Sequence, residues 1–205
     1  MLHYTRGIFI AFAGLFGASS ICQAAIVYSP IVNLAIPVAS PGLYLNIQTG
    51  ASGTSAAAVP GWDINVGGTS SLNFTSPGGY NFVRLNTASP TAGPSNVGNG
   101  FAISSTMPTA SWIAGGTANG LTLNSTENYI GFQFTASGGT THFGYLVLSI
   151  GSSVTGTDRK IVSYAYNSES ITTPGGAVIT TPIIPAPGAL ALLCGAGVFA
   201  NRRRR

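Results

Sequence analysis

The residue types that carry most enzyme chemistry are scarce in this chain of 205 residues. Between the two ends there is one histidine, His142, and there are four carboxylates, at Asp63, Glu127, Asp158 and Glu169. A histidine base with a serine nucleophile on a strained turn would need the motif Gly-x-Ser-x-Gly, which does not occur. We therefore interpret His142 as a strand-end residue that packs or hydrogen-bonds within a sheet, and we predict no catalytic residues.

Carboxylates also support glycoside hydrolysis and metal binding. A glycosidase needs two acids facing each other across a cleft, whereas the four acids here fall in separate predicted strands and loops. Asp63-Ile64-Asn65 resembles part of a calcium loop, but a hard cation requires several oxygen ligands and usually more than one carboxylate. We interpret Asp63 and Asn65 as the polar face of a strand, and we predict no metal site and no cofactor. A hydrolase acting on glycans or esters remains an alternative.

The neutral polar and aromatic side chains of the body are suited to ligand binding rather than to catalysis. The body is rich in serine, threonine, asparagine and glycine, and it carries Trp62, Trp112 and several tyrosines. Aromatic faces set among neutral hydrogen-bonding groups are suited to sugar rings. The same aromatic residues are also common in the cores of β-sandwiches. Trp62 and Trp112 are therefore candidate ligand-contacting residues if they are displayed, and core residues if they are buried.

The charge pattern argues against nucleic acid as a partner. The formal net charge is +4, and only 6% of residues are charged, against about 25% in an average soluble domain. Arg6 and the last four arginines lie at the ends, so the residues between them carry one more acid than base. Nucleic-acid binding by counterion release needs a basic patch, which the body lacks. Its one charged cluster, Asp158-Arg159-Lys160, is predicted to lie exposed at a hairpin tip.

Short alternating runs, broken by glycine, proline, serine and threonine, predict strands throughout the body, and no helical period extends over ten residues. The predicted strands are 43–48, 62–66, 80–85, 101–104, 129–135, 143–150 and 161–167. Gly138-Gly139 is predicted to be a hairpin turn, and the predicted loops are 49–60, 86–99 and 114–120. Strands 143–150 and 161–167 have the composition of strands buried on both faces or in a sandwich core.

Many short strands with regular turn signals favour one all-β domain over residues 25–182, a single β-sandwich that is jelly-roll-like. A β-solenoid would show a repeat of fixed period, and no such repeat is found. Both cysteines lie outside this range, so the domain has no disulfide.

The N-terminus is typical of a secretory signal peptide over residues 1–24. A basic segment, Met1–Arg6, precedes an apolar segment, Gly7–Ile21, and the small residues Ala24 and Ala25 offer the cleavage site for signal peptidase.

The C-terminus, residues 183–205, has the order of a membrane-sorting tail. Pro185, Ala186 and Pro187 precede an apolar run, Gly188–Ala200, which is followed by an arginine cluster. Eighteen residues counted from Ile183 give about 27 Å of helix, close to the roughly 30 Å of a bilayer core. The positive-inside rule predicts that the cluster stays in the cytoplasm; its members are Arg202, Arg203, Arg204 and Arg205.

These residues resemble bacterial proteins with a PEP-CTERM sorting tail, with alanine in place of the central glutamate of the family's Pro-Glu-Pro motif. Many such proteins also carry aromatic and glycine segments ahead of the tail, and residues 127–177 are similar to them. The matching segments are Tyr129-Ile130-Gly131-Phe132, His142-Phe143-Gly144-Tyr145 and Ser163-Tyr164-Ala165-Tyr166. Residues 26–126 resemble the family only loosely.

The resemblance implies processing by exosortase, a membrane cysteine protease of bacteria that secrete exopolysaccharide. We therefore predict an exported, non-enzymatic cell-surface or extracellular-matrix protein, held transiently at the inner membrane by its tail. Its expected partners are signal peptidase, an exosortase-like protease and the membrane, with exopolysaccharide as a further candidate. A carbohydrate-binding or adhesive β-sandwich is the first alternative.

Overall fold

The computed structural model describes residues 25–77, 81–86, 92–169 and 178–182. Within these ranges the chain forms fourteen strands and two single-turn 3-10 helices, Ala56–Ala58 and Thr109–Ser111. The prediction of an all-β chain is confirmed. The predicted signal peptide and sorting tail, at 1–24 and 183–205, lie outside the described residues. None of the helices within the described ranges has the length and apolar character needed to cross a membrane.

The strands are numbered in chain order. They are β1 (Ile26–Tyr28), β2 (Leu34–Ala35), β3 (Leu43–Leu45), β4 (Ser52–Gly53), β5 (Ile64–Gly67), β6 (Asn73–Thr75), β7 (Asn81–Val83), β8 (Ala102–Ser104), β9 (Trp112–Ile113), β10 (Gly116–Thr117), β11 (Ser125–Thr135), β12 (Thr141–Ile150), β13 (Lys160–Asn167) and β14 (Val178–Thr180).

These strands form two larger sheets and a ribbon. The seven-stranded sheet has the order β1-β13-β12-β11-β7-β9, and β2 also pairs with β13. The five-stranded sheet has the order β10-β6-β5-β3-β4, and β8 pairs with β14 in a separate ribbon. Every pairing between these strands is antiparallel.

The three long strands β11, β12 and β13 form the centre of the larger sheet. They are rich in aromatic and β-branched residues, which pack well on a pleated surface. The hairpin between β11 and β12 turns at Gly138-Gly139, as predicted, and Gly139 adopts a φ of 79° that favours glycine. The N–H of Ala136 donates to the carbonyl of Thr140 at 2.8 Å and closes the loop.

Side chains of these strands alternate between two cores, because successive residues of a strand face opposite sides of the sheet. Ile130 and Phe132 of β11 pack in the first core, which also contains Leu45 and Phe74 of the five-stranded sheet. The second core lies on the other face of the seven-stranded sheet, where Tyr129, Phe143 and Tyr145 pack with residues of the ribbon. The long strands are therefore covered on both faces.

Every strand predicted from the sequence is present, with shifted ends, but seven short strands were not predicted. They are β1, β2, β4, β6, β9, β10 and β14, each of two or three residues. Two of them fall inside predicted loops: β4 in 49–60 and β10 in 114–120. A strand of two residues shows no alternation, so only its pairing with a neighbour identifies it.

Candidate functional site

A row of polar side chains covers one face of the five-stranded sheet. Leu45, Val66 and Phe74 point into the first core, so the residues that alternate with them point outward. Strand pairing aligns Tyr44 with Asn65, Asn65 with Thr75 and Asn73 with Thr117. We define the outer face as these five outward residues: Tyr44, Asn65, Asn73, Thr75 and Thr117.

Hydroxyl groups hold both asparagine amides of the outer face. Thr75 Oγ1 donates to Asn65 Oδ1 at 3.2 Å, and Thr117 Oγ1 donates to Asn73 Oδ1 at 2.7 Å. Ser71 Oγ also donates to Asn73 Oδ1, at 3.3 Å. Asn73 Oδ1 thus accepts two hydrogen bonds and Asn65 Oδ1 accepts one, and each side chain also carries an NH₂ group with two donors.

A pocket of about 200 Å³ opens between these amides and the segment that precedes β3; we call it the outer-face pocket. Its polar side chains are those of Ser40, Asn65, Asn73 and Thr75, and Pro41, Gly67 and Gly68 complete the lining. Asn65 is only 8% exposed, and its Nδ2 is buried without a hydrogen-bond partner among the described residues. A buried N–H group without an acceptor is uncommon in folded proteins.

A larger pocket, of about 430 Å³, lies where the β3–β4 turn meets the β11–β12 hairpin, and we call it the end pocket. Its main polar groups already hold the turn in place. The Asp63 carboxylate accepts the N–H of Ile47 at 2.6 Å, and Asn46 Nδ2 donates to the carbonyl of Gly61 at 2.6 Å. Asp63 is 3% exposed and directly precedes β5, so it serves the fold at this end of the sheet.

The structure separates the two tryptophans that the sequence singled out. Trp62 is half-buried beside the outer face, in edge-to-face contact with Tyr44 at a ring distance of 4.9 Å. Trp112 is half-buried in β9 of the other sheet, stacked on Phe143 at 5.6 Å, and packs against the second core. Trp62 therefore contacts a residue of the outer face, whereas Trp112 packs on the other sheet.

His142 is tied into the fold by hydrogen bonds at both ring nitrogens. Its Nδ1 lies 3.0 Å from the carbonyl of Asn167 and 3.1 Å from that of Glu169, and its Nε2 lies 2.8 Å from Thr140 Oγ1. Carbonyl oxygens only accept, so Nδ1 carries the proton, and in the neutral ring Nε2 accepts from the threonine. The ring is 7% exposed and packs against Phe134. Both ring nitrogens therefore form hydrogen bonds within the fold.

The other carboxylates do not assemble into a cluster. Glu127 and Asp158 are exposed on separate elements, and Glu169 follows β13. The part of the chain that the structure describes contains no group of three histidine, cysteine or acidic side chains placed to hold a metal ion.

Arg159 corrects the prediction of an exposed charged tip. The residue does lie in the β12–β13 connection, but its side chain is fully buried. Its Nε donates to the carbonyl of Ile36 at 3.2 Å, and its Nη2 donates to the carbonyl of Gly68 at 2.6 Å. Further bonds reach the carbonyls of Pro37 and Val154. Four backbone oxygens from three chain segments replace the water that the charged group would otherwise need, which is why it is stable inside.

Burial changes the titration of several groups. It raises the pKa of Tyr145 to about 12, with smaller contributions from the negative charges of Tyr28 and Tyr129 on ionisation. Burial also raises the pKa values of Tyr129 and Tyr164 and lowers the pKa of Arg159. The Arg159 guanidinium nevertheless keeps its charge, because arginine does not deprotonate in proteins.

The alternation in the sequence predicts that Tyr44 and Asn65 lie on the polar faces of their strands, but it does not identify Asn73, Thr75 or Thr117. Asn73-Phe74-Thr75 alternates between polar and apolar residues, which is the signal of a strand, yet three residues are too few to support a prediction. Thr117 lies in a segment that was predicted to be a loop.

Comparison of the chain with protein-family models, with curated proteins and with solved structures gives no match. The sorting residues Pro185, Ala186 and Pro187, and the four terminal arginines, lie outside the described residues. Of the two alanines at the predicted cleavage site, the structure describes Ala25, whose carbonyl accepts from the N–H and Oγ of Ser168 at 3.0 and 2.8 Å.

Proposed function

We propose that this chain is an exported, non-enzymatic cell-surface or extracellular-matrix protein of the PEP-CTERM kind. The proposal rests on the order of features in the sequence: an apolar leader over 1–24, Pro185-Ala186-Pro187, a short apolar run and the terminal arginines. In this proposal an exosortase-like protease acts near the two prolines. The tail holds the protein at the inner membrane until then, and afterwards the protein reaches the cell surface or matrix.

The folded part in this proposal is a β-sandwich, with the β8–β14 ribbon added on one side. Its support is the first core, which combines side chains of both larger sheets. A scaffold of this kind leaves the outer face of the five-stranded sheet open to a ligand.

Processing of the tail in the native host tests the sorting proposal. Intact-mass measurement of the mature protein should show loss of the tail, and deletion of the exosortase gene should leave the tail in place. Pro187→Ala should block processing, whereas the matched change Pro182→Ala, five residues upstream, should not. A tail that persists in the mature protein whether or not exosortase is present would overturn the proposal.

Glycan binding is the second proposed function, and the outer-face pocket is the observation that favours it. Neutral amides and hydroxyls line the pocket and provide the hydrogen bonds that sugars need. Tyr44, which pairs with Asn65 across the strands, and Trp62, which contacts Tyr44, provide ring surface outside the pocket. The ligand in this proposal is exopolysaccharide of the host.

A co-sedimentation assay of the full chain with purified host polysaccharide tests this second function. Wild-type protein should bind, and Trp62→Ala should weaken binding. Trp112→Ala removes a tryptophan of similar exposure from the other sheet and should leave binding unchanged. Wild-type protein that stays in the supernatant at every polysaccharide concentration would refute glycan binding.

A further inference from the structure

The two amides that line the outer-face pocket have more donor positions than acceptor positions to offer. Asn73 Oδ1 accepts from both Thr117 and Ser71, which fills its two lone pairs, and Asn65 Oδ1 accepts from Thr75, so one acceptor position and the N–H donors of both amides remain. Asn65 Nδ2 in particular lacks a hydrogen-bond acceptor, because it is buried and has no partner within the described ranges. The group that fits beside it is therefore an oxygen acceptor.

Among the described residues, no charged side chain lines this pocket. Asp63, the carboxylate that directly precedes β5, lines the end pocket instead and accepts the N–H of Ile47. An anionic ligand would meet no like charge in the pocket wall.

A buried positive charge lies behind the same wall. Gly68 lines the pocket, and its carbonyl accepts from Nη2 of Arg159 at 2.6 Å. The described hydrogen bonds of this guanidinium all go to backbone carbonyls, so they solvate its charge without neutralising it. Asp158, its neighbour in sequence, is exposed and accepts the N–H of Ser152. A positive charge in a region of low dielectric favours a nearby anion.

The volume of the pocket limits the ligand to a small group. About 200 Å³ is below the roughly 300–1,000 Å³ of pockets that enclose drug-sized molecules. The pocket therefore suits one edge of a single sugar ring rather than a long stretch of polymer.

We infer that the outer-face pocket binds the carboxylate of a uronic acid residue within an acidic polysaccharide. This inference rests on the proposed glycan binding and adds the ligand class. The carboxylate oxygens accept from Asn73 Nδ2 and, after a small rotation of the Asn65 side chain that brings its buried Nδ2 to the pocket surface, from Asn65 Nδ2. Such charge-assisted hydrogen bonds are stronger than those to a neutral hydroxyl. The ring of the sugar lies on the outer face.

Titration of the full chain in detergent micelles tests the inference, with the side-chain NH₂ signal of Asn65 followed by NMR. The probes are an oligogalacturonate, a neutral gluco-oligosaccharide of equal length, and acetate. We expect the oligogalacturonate to shift the Asn65 signal and to bind at least about tenfold more tightly than the neutral oligomer, as expected for hydrogen bonds to a charged group.

Two amide-to-acid variants probe the site with little change of shape. Asn65→Asp and Asn73→Asp keep the oxygen that accepts from threonine but replace the donor with negative charge, so each should weaken oligogalacturonate binding at least about tenfold. Asn99→Asp adds the same charge on an exposed loop and should leave affinity within about twofold of wild type. Thermal unfolding of each variant verifies that it folds.

The outcomes separate this inference from the proposal beneath it. Equal affinity for the neutral and acidic oligomers would overturn the uronate site but not the proposed glycan binding. The same holds if oligogalacturonate binds Asn65→Asp and Asn73→Asp as tightly as it binds wild type. Acetate that binds as tightly as the oligomer would overturn the sugar as the ligand class. Failure of every glycan, including host polysaccharide, to bind would overturn both.

Discussion

At the scale of single residues, Arg159 is the clearest case in which tertiary surroundings reverse a local expectation. In the sequence it stands between Asp158 and Lys160 at a loop tip, where charged residues are normally exposed. In the structure its guanidinium joins the segment at Ile36, the turn after β5 at Gly68 and its own loop at Val154. It therefore links three segments that are distant in sequence.

Replacement of Arg159 by methionine should destabilise the protein strongly. The change leaves four buried or part-buried backbone carbonyls without their donor, and each acceptor left unsatisfied costs about 1–3 kcal/mol, so we expect a loss of at least about 3 kcal/mol. Lys160→Met, at the half-buried neighbouring position, should change the free energy of unfolding by less than about 1 kcal/mol. Urea unfolding of both variants measures the difference. Equal losses would show that the carbonyls find other partners.

At the scale of elements, the central strands are held by close contacts that leave no room for extra atoms. Phe132 of β11 pairs with Gly144 of β12, and the phenylalanine ring lies over the glycine. A Cβ at Gly144 would lie 2.4 Å from Phe132 Cζ and 2.6 Å from the carbonyl oxygen of Ala165 on β13. The glycine thus allows three neighbouring strands to pack with an aromatic ring above them.

Gly144→Ala should therefore cost about 1–3 kcal/mol of stability, the range for overpacking a core. Gly138→Ala in the adjacent hairpin is the matched control, because no described residue other than its two chain neighbours has an atom within 4 Å of its new Cβ. That control should leave the stability unchanged or raise it by up to about 1 kcal/mol, because alanine lowers the conformational entropy of the unfolded chain. Thermal and urea unfolding compare the two, and a Gly144→Ala protein as stable as wild type would contradict the packing described.

At the scale of the whole molecule, the free energy of unfolding should change more at alkaline pH than at acidic pH. Only four carboxylates occur in the chain, whereas three tyrosines have pKa values raised by burial. Between pH 10 and about 12 the folded chain keeps the proton of Tyr145 that the unfolded chain releases. The stability linked to this proton is fully present below pH 10 and is lost as the pH rises toward 12.

Tyr145→Phe tests this pH dependence. The variant should match wild type near pH 7 and should lose less stability between pH 10 and 12, because phenylalanine has no proton to release. The measurement is the urea midpoint across pH 7 to pH 11.5. Identical alkaline loss in the two proteins would show that other groups govern the response.

Local patterns in the sequence are enough to predict the all-β class and the longest strands. The all-β prediction, strands β11, β12 and β13 and the turn at Gly138-Gly139 all follow from alternation and turn residues, which are local properties of the chain. Seven strands of two or three residues escaped prediction, since pairing alone defines them.

The burial and the convergence of polar groups depend on contacts between segments that are distant in sequence. The outer-face pocket exists because β3, β5 and β6 pair in a register that brings Asn65 beside Thr75. Likewise, Arg159 is buried because carbonyls of distant segments meet around it. Backbone carbonyls occur at every residue, so nothing in their sequence marks which of them will replace water around a buried charge.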